Sequence, residues 1–141
     1  MKKRIDDKIK DIKVYLKQLK EIVPDNIKVY TKDFKTKAAC ERYFERIAES
    51  VSDLSLLVIK EKDLHIPDED KEYFEVLKNE NIISLELAKK LKEMKGMRNI
   101  IAHQYGSIDD ELVYGVISED LNEDVEEFIK IILEKNEGDL I

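Results

Sequence analysis

The sequence predicts an all-α protein, an up-and-down four-helix bundle with one additional short helix. Three observations carry that expectation. Apolar positions recur at intervals of 4-3-4-3-4 in three long stretches, the spacing of one buried helix face. Four glycines and two prolines punctuate 141 residues, which leaves few places for a break. No stretch alternates apolar and polar residues as a half-buried strand would.

The first stripe is Ile5, Ile9, Ile12, Leu16, Leu19 and Val23, closed by Pro24. PDNIKVY reads as a linker. Thr31 and Asp33 are both good caps for the second helix, whose stripe is Cys40, Phe44, Ile47, Val51, Leu54 and Val58. Cys40 is expected to pack as a small apolar side chain. KEKDLHIPDED breaks the pattern, and DEDKEYFEVLKN reads as the short helix. Tyr43, Phe44, Tyr73 and Phe74 look like packing aromatics. Ser84 can cap SLELAKKLKEMKGMRNIIAH, with Gly106 as its stop. Ser107 and Asp110 make a capping-box pattern for DDELVYGVI. A last helix carries Leu121, Val125, Phe128 and Ile132. The chain is expected to be one domain over residues 1–141, fraying from about residue 136.

Charged residues make up 40% of the chain, with a net charge of −7. That balance argues against a protein coated in nucleic acid, and no DNA partner is expected. The charge is uneven. Residues 1–20 are basic, 89–98 are locally basic and 106–141 are strongly acidic. The two basic segments would form one surface if they lay together. The acidic run SEDLNEDVEEF reads most simply as a solvated face, and a basic protein surface could also dock on it. A single cysteine excludes an internal disulfide. With no long apolar run and a charged N-terminus, a cytoplasmic protein without a membrane partner is expected. His65 has no second ligand near it in sequence, so no metal is expected there.

The stretch GMRNIIAHQYG, residues 96–106, concentrates the chemistry. The fourth-helix stripe runs Leu87, Leu91, Met94, Arg98, Ile101, Tyr105, so a guanidinium sits on an apolar seam. It needs acceptors, because burying it alone costs several kcal/mol. One reading is a paired arginine that holds helices in register, and another is a cleft or subunit interface. His103 lies five residues on, about 140° around the axis at roughly 100° per residue. The two side chains therefore diverge on a regular helix and converge only at a loosened end or between subunits. Asn99 and His103 share a face, as do Arg98 and Tyr105. Arginine and histidine together suit metal-free phosphoryl transfer on RNA. A 2′-OH attacks the adjacent phosphate, histidine moves protons, and arginine stabilises the anionic transition state.

The run KKLKEMKGMRNIIAHQYGSIDDELVYGVI resembles the signature segment of HEPN-domain proteins of the HepT type. The matching positions are Gly96, Arg98, Asn99, His103, Tyr105, Ile108, Asp109 and Tyr114. IPDEDKEYFEVLKNENIISLELAKKL is also similar to the family. So is ACERYFERIAESVSDLSLLVI, where Ala48 and Glu49 stand at a Gly-Glu-Ala-like motif that is only partly kept. The resemblance covers about residues 4 to 135. It implies the toxin of a type II toxin–antitoxin pair, a metal-independent endoribonuclease acting as a homodimer. Arg98 and His103 would line a cleft at the two-fold interface, which would remove the difficulty of the 140° separation. Arg98 would stabilise phosphate and transition state, His103 would be acid and base, and Asn99 a polar helper. The implied partner is an MNT-type nucleotidyltransferase antitoxin that uses ATP to adenylylate Tyr105. The chain itself would hold no cofactor. For Glu49 the plainer expectation is a salt bridge to a lysine or arginine. The competing reading is a non-catalytic helical module that scaffolds a nucleotidyltransferase or binds RNA or nucleotide.

Overall fold

A computed structural model describes residues 2–103 and 108–139. Its described residues are helical, with no strand among them. Four long helices form the bundle: α1 (Lys2–Ile22), α3 (Phe34–Glu61), α5 (Leu85–His103) and α7 (Leu121–Asp139). Between them lie α2 (Ile27–Lys32), α4 (Tyr73–Asn79) and α6 (Asp110–Gly115). A 3-10 turn at Asp70–Glu72 precedes α4, and a π-helical turn at Val116–Asp120 joins α6 to α7. The long helices pack in a ring, α1 on α3, α3 on α5, α5 on α7, and α7 back on α1. The apolar stripes read from the sequence fill the centre of that ring, and Ile5, Ile12, Phe44, Ile47, Val51, Leu54, Leu91, Val125 and Phe128 have no exposed surface.

Ring order settles the question of a joint basic surface. α1 and α5 stand diagonally opposite, so residues 1–20 and 89–98 do not form one patch. The acidic α7 lies beside both.

The helix boundaries follow local chemistry. The Asp33 carboxylate accepts from the N–H groups of Lys35 and Thr36, so it is the cap of α3. Thr31 lies inside α2. α3 and α4 end in matching Schellman stops. Leu64 N–H reaches Ile59 C=O at 3.0 Å and Ile82 N–H reaches Leu77 C=O at 2.9 Å. Asp63 (φ 55°) and Asn81 (φ 59°) take the left-handed position in these stops. Short polar side chains tolerate that conformation best after glycine. The Ser84 hydroxyl accepts from Leu87 N–H at 3.1 Å, as its capping pattern predicts.

Three expectations are corrected. PDNIKVY is not a plain linker, because α2 occupies most of it. Asn26 caps that helix by accepting from Lys28 N–H at 2.7 Å. Tyr30 is fully buried against Tyr114, ring centroids 5.2 Å apart, and Tyr114 Oη donates to Pro24 C=O at 2.5 Å. A six-residue helix has no periodicity to detect, so tertiary packing creates it. The cap of α6 is Asp109, whose carboxylate accepts from Glu111 and Leu112 N–H. The predicted capping box fails because Asp110 is drawn away to Lys37 Nζ at 2.9 Å, and Ser107 lies outside the described residues. Finally, α6 and α7 form one unbroken helical run, and its backbone stays helical to Asp139, inside the segment expected to fray.

The π turn has a cause in the spacing. Val113, Ile117, Leu121, Val125 and Ile129 are all buried, at successive intervals of four. A straight α-helix drifts about 40° at each such step, since four residues overrun a 3.6-residue turn. One wider turn absorbs the drift and keeps all five on the core.

Candidate functional site

α5 brings Arg98 to the seam between itself and α3. Leu87, Leu91, Met94 and Ile101 of the same stripe are buried, while the Arg98 side chain keeps 24% exposure. Its partners now have names. Arg98 Nη2 donates to Glu49 Oε1 of α3, and Nη1 donates to Asn99 Oδ1 at 3.1 Å. Nε is buried without an acceptor among the described residues. The guanidinium is thus gripped from two sides and held flat against the helix pair. A charged fork fixed this way presents a defined geometry to a phosphate, which an unheld side chain of this length does not. Glu49 does make the salt bridge its plainer reading expected, and the partner is the candidate catalytic arginine.

His103 is the last residue of α5 and is exposed. It lies one turn beyond Asn99 on the same face, so Asn99 stands between the arginine it touches and the imidazole it neighbours. Within one chain, α5 remains helical through His103, and the angular separation of Arg98 and His103 therefore persists. Tyr105, Gly106 and Ser107 lie outside the described residues.

Beside Asn99 is a cleft of ≈ 410 Å³ lined by Gly96, Lys92 and Lys95 of α5 and by Lys71, Glu72 and Glu75 opposite. Its lysines are matched to carboxylates. Lys95 Nζ lies 3.0 Å from Asp70, and Lys92 lies 2.9 Å from Glu75. Lys78 reaches the other oxygen of Glu75 at 2.8 Å. Hydrogen bonds from Lys78 and then Lys92 hold the Glu75 carboxyl down to about 2. Those bridges are present above the ordinary glutamate range and fail only as pH falls through the depressed value. The locally basic look of residues 89–98 is therefore largely neutralised on this side.

A second groove, ≈ 810 Å³, runs along the other flank of α5 against α6 and α7. Its floor is apolar, with Met94, Met97, Ile101, Val113 and Val116, and its rim carries Asp109, Asp120 and Glu123.

Among the described residues no three metal-ligating side chains gather, and His65 is an exposed loop residue. No described helix is long and apolar enough to cross a membrane. Cys40 is buried, with its thiol pushed up to about 11 by burial and then by Glu41, so it is a packing residue and not a nucleophile.

Comparison with known proteins places these features in context. The profile of a family described as ribonuclease HepT-like matches residues 12–132. The mRNA nuclease HepT of Shewanella oneidensis is 30% identical over 128 residues, covering 91% of this chain and 95% of that protein. Among solved structures, the tri-AMPylated Shewanella oneidensis HEPN toxin in complex with MNT antitoxin superposes with a TM-score of 0.87 at 29% identity, over 92% of this chain and 96% of that one. A toxin–antitoxin structure with AMP-PNP gives a TM-score of 0.83 at 29% identity, over 92% and 97% of the two chains.

Proposed function

The chain belongs to the ribonuclease HepT-like family, and on that premise we propose that it is the toxin of a toxin–antitoxin pair, an endoribonuclease that cleaves RNA without a metal. The observation that carries the reading is Arg98, held between Glu49 and Asn99 at one turn's remove from an exposed His103. The unit of action is a homodimer of single-domain chains, in which the second copy closes the angular gap between arginine and histidine.

The 2′-OH attacks its own phosphorus, the bond to the 5′-oxygen breaks, and a 2′,3′-cyclic phosphate remains. His103 takes or returns the proton, and Arg98 meets the growing charge on the phosphoryl oxygens. Asn99 keeps the guanidinium aimed. Cleavage of a defined RNA by purified protein in excess chelator tests the proposal directly, and loss of cleavage on chelation would sink it.

Glu49 is a positioning residue in this scheme. Glu49→Ala is expected to lower cleavage by roughly ten- to a hundredfold by letting Arg98 wander. The melting temperature should hold, since a half-exposed ion pair contributes only about 0–1 kcal/mol. Kinetics and melts of this variant beside Glu49→Gln, which keeps an acceptor oxygen, check it.

The partner is an MNT-type nucleotidyltransferase that transfers AMP from ATP to Tyr105. A bulky anion there would exclude an RNA phosphate by sterics and like charge. Support comes from the AMPylated toxin of the Shewanella complex, which this chain matches at 29% identity. After co-expression with the partner, intact mass should rise in steps of one AMP, and Tyr105→Phe should abolish them. Steps that persist in the phenylalanine variant would place the acceptor elsewhere.

A further inference from the structure

Gly96 has no role inside its own chain. It sits in the interior of α5, exposed, with no left-handed φ, and a Cβ built there would meet nothing within 4 Å. Neither a turn nor internal packing asks for glycine, although glycine weakens a helix interior relative to alanine. What a missing side chain provides is room for close approach from outside.

Three further observations say what approaches. Lys89, Gly96 and His103 are spaced by seven and lie within about 20° of one another per step, a single outward stripe of α5. Ile100, one turn from Gly96, is 46% exposed. Immediately beside this stripe runs the apolar groove of ≈ 810 Å³, with Leu112 on its edge 57% exposed. The same patch therefore carries an apolar ridge and an apolar slot, the self-complementary pairing a two-fold contact requires. The charges complement in the same way. Residues 89–98 hold five Lys/Arg against one Glu, whereas the groove rim supplies Asp109, Asp120 and Glu123. Two copies related by a two-fold axis set one α5 against the other's rim. The acidic rim repels an RNA strand, so the slot suits protein and not substrate.

Resting on the paired-subunit reading above, we infer that two copies of this chain meet across α5 with Gly96 at the point of closest approach and Ile100 of each seated in the groove of the other. His103 shares the stripe with Gly96, so the contact places both imidazoles at the subunit boundary. The angular gap that one helix cannot close is thereby closed by the second.

The test uses the full chain with Gly96→Leu, Ile100→Glu and, as a control on a distant exposed apolar residue, Ile66→Glu. Sedimentation and light scattering over a concentration series give the dimer constant, circular dichroism the fold, and RNA cleavage the activity. Gly96→Leu and Ile100→Glu are each expected to weaken the dimer by roughly a hundredfold or more, as at the centre of an interface, and to lose cleavage in step while keeping their helical melts. Ile66→Glu should match wild type. A monomeric wild type, or unchanged dimers in both variants, overturns the inference, as does a monomeric variant with full cleavage. If dimers weaken as expected but wild type cleaves no RNA, the contact stands and the nuclease reading fails. Should Gly96→Leu not fold, Ile100→Glu decides, because its parent side chain is already half in solvent.

Discussion

Alanine at His103 or at Arg98 is expected to lower RNA cleavage by roughly 10²–10⁴-fold without unfolding the chain. The two residues reach that loss by different routes. His103 is exposed at the end of α5, so its truncation removes a proton carrier and almost no packing. Arg98 is tied to Glu49 and Asn99, so its truncation also leaves two acceptors to water. That second loss should cost about 1 kcal/mol of stability at most, because Glu49 is itself 45% exposed. Paired measurement of cleavage and thermal melting separates the effects. The Arg98 variant should melt slightly early, the His103 variant at the wild-type temperature. Either variant retaining cleavage within a few-fold of wild type would remove that residue from the mechanism.

Phe44→Ala is expected to destabilise the fold by about 3–5 kcal/mol, the usual range for deleting a buried aromatic ring. Phe44 has no exposed surface, and it sits on α3, the helix that packs against α1, α2, α4 and α5. For a chain of this size the melting temperature should fall by roughly 10–20 °C. Phe34, ten residues earlier on the same helix, is 75% exposed. Phe34→Ala should stay within about 0.5 kcal/mol of wild type. Equal effects in thermal melts of the two variants would contradict the burial on which the bundle rests.

The bundle was legible because each long helix writes its buried face as a regular interval. Ile5 through Leu19, Cys40 through Val58 and Leu87 through Ile101 are buried where the spacing puts them, apart from Arg98. Elements without a period were hidden. α2 exists because Tyr30 finds Tyr114, a partner 84 positions away. Such a contact is set by the fold and not by neighbours in sequence. The site was half legible. Arg98 announced itself as a charge on an apolar seam, and the need for an acceptor followed from electrostatics. That Glu49 supplies it could be narrowed to the matching face of α3 but not selected among its carboxylates. The cap of α6 was misplaced for a related reason, since Asp110 is claimed by Lys37 across the fold. Gly96 was read only as part of a motif, and its lack of any internal purpose became visible once its surroundings were known.

The π turn at Val116–Asp120 bears on chain length as well as on packing. A turn of this kind holds one residue more than the α-helix around it needs. Shortening the chain by a single residue there would leave an ordinary helix and swing α6 by about 100° relative to α7. Asp110 would leave Lys37, and Tyr114 would leave Pro24. Relatives of this protein can therefore differ in length in their loops, but a gap inside 116–120 should be met only alongside a different set of contacts at residues 24, 37, 110 and 114.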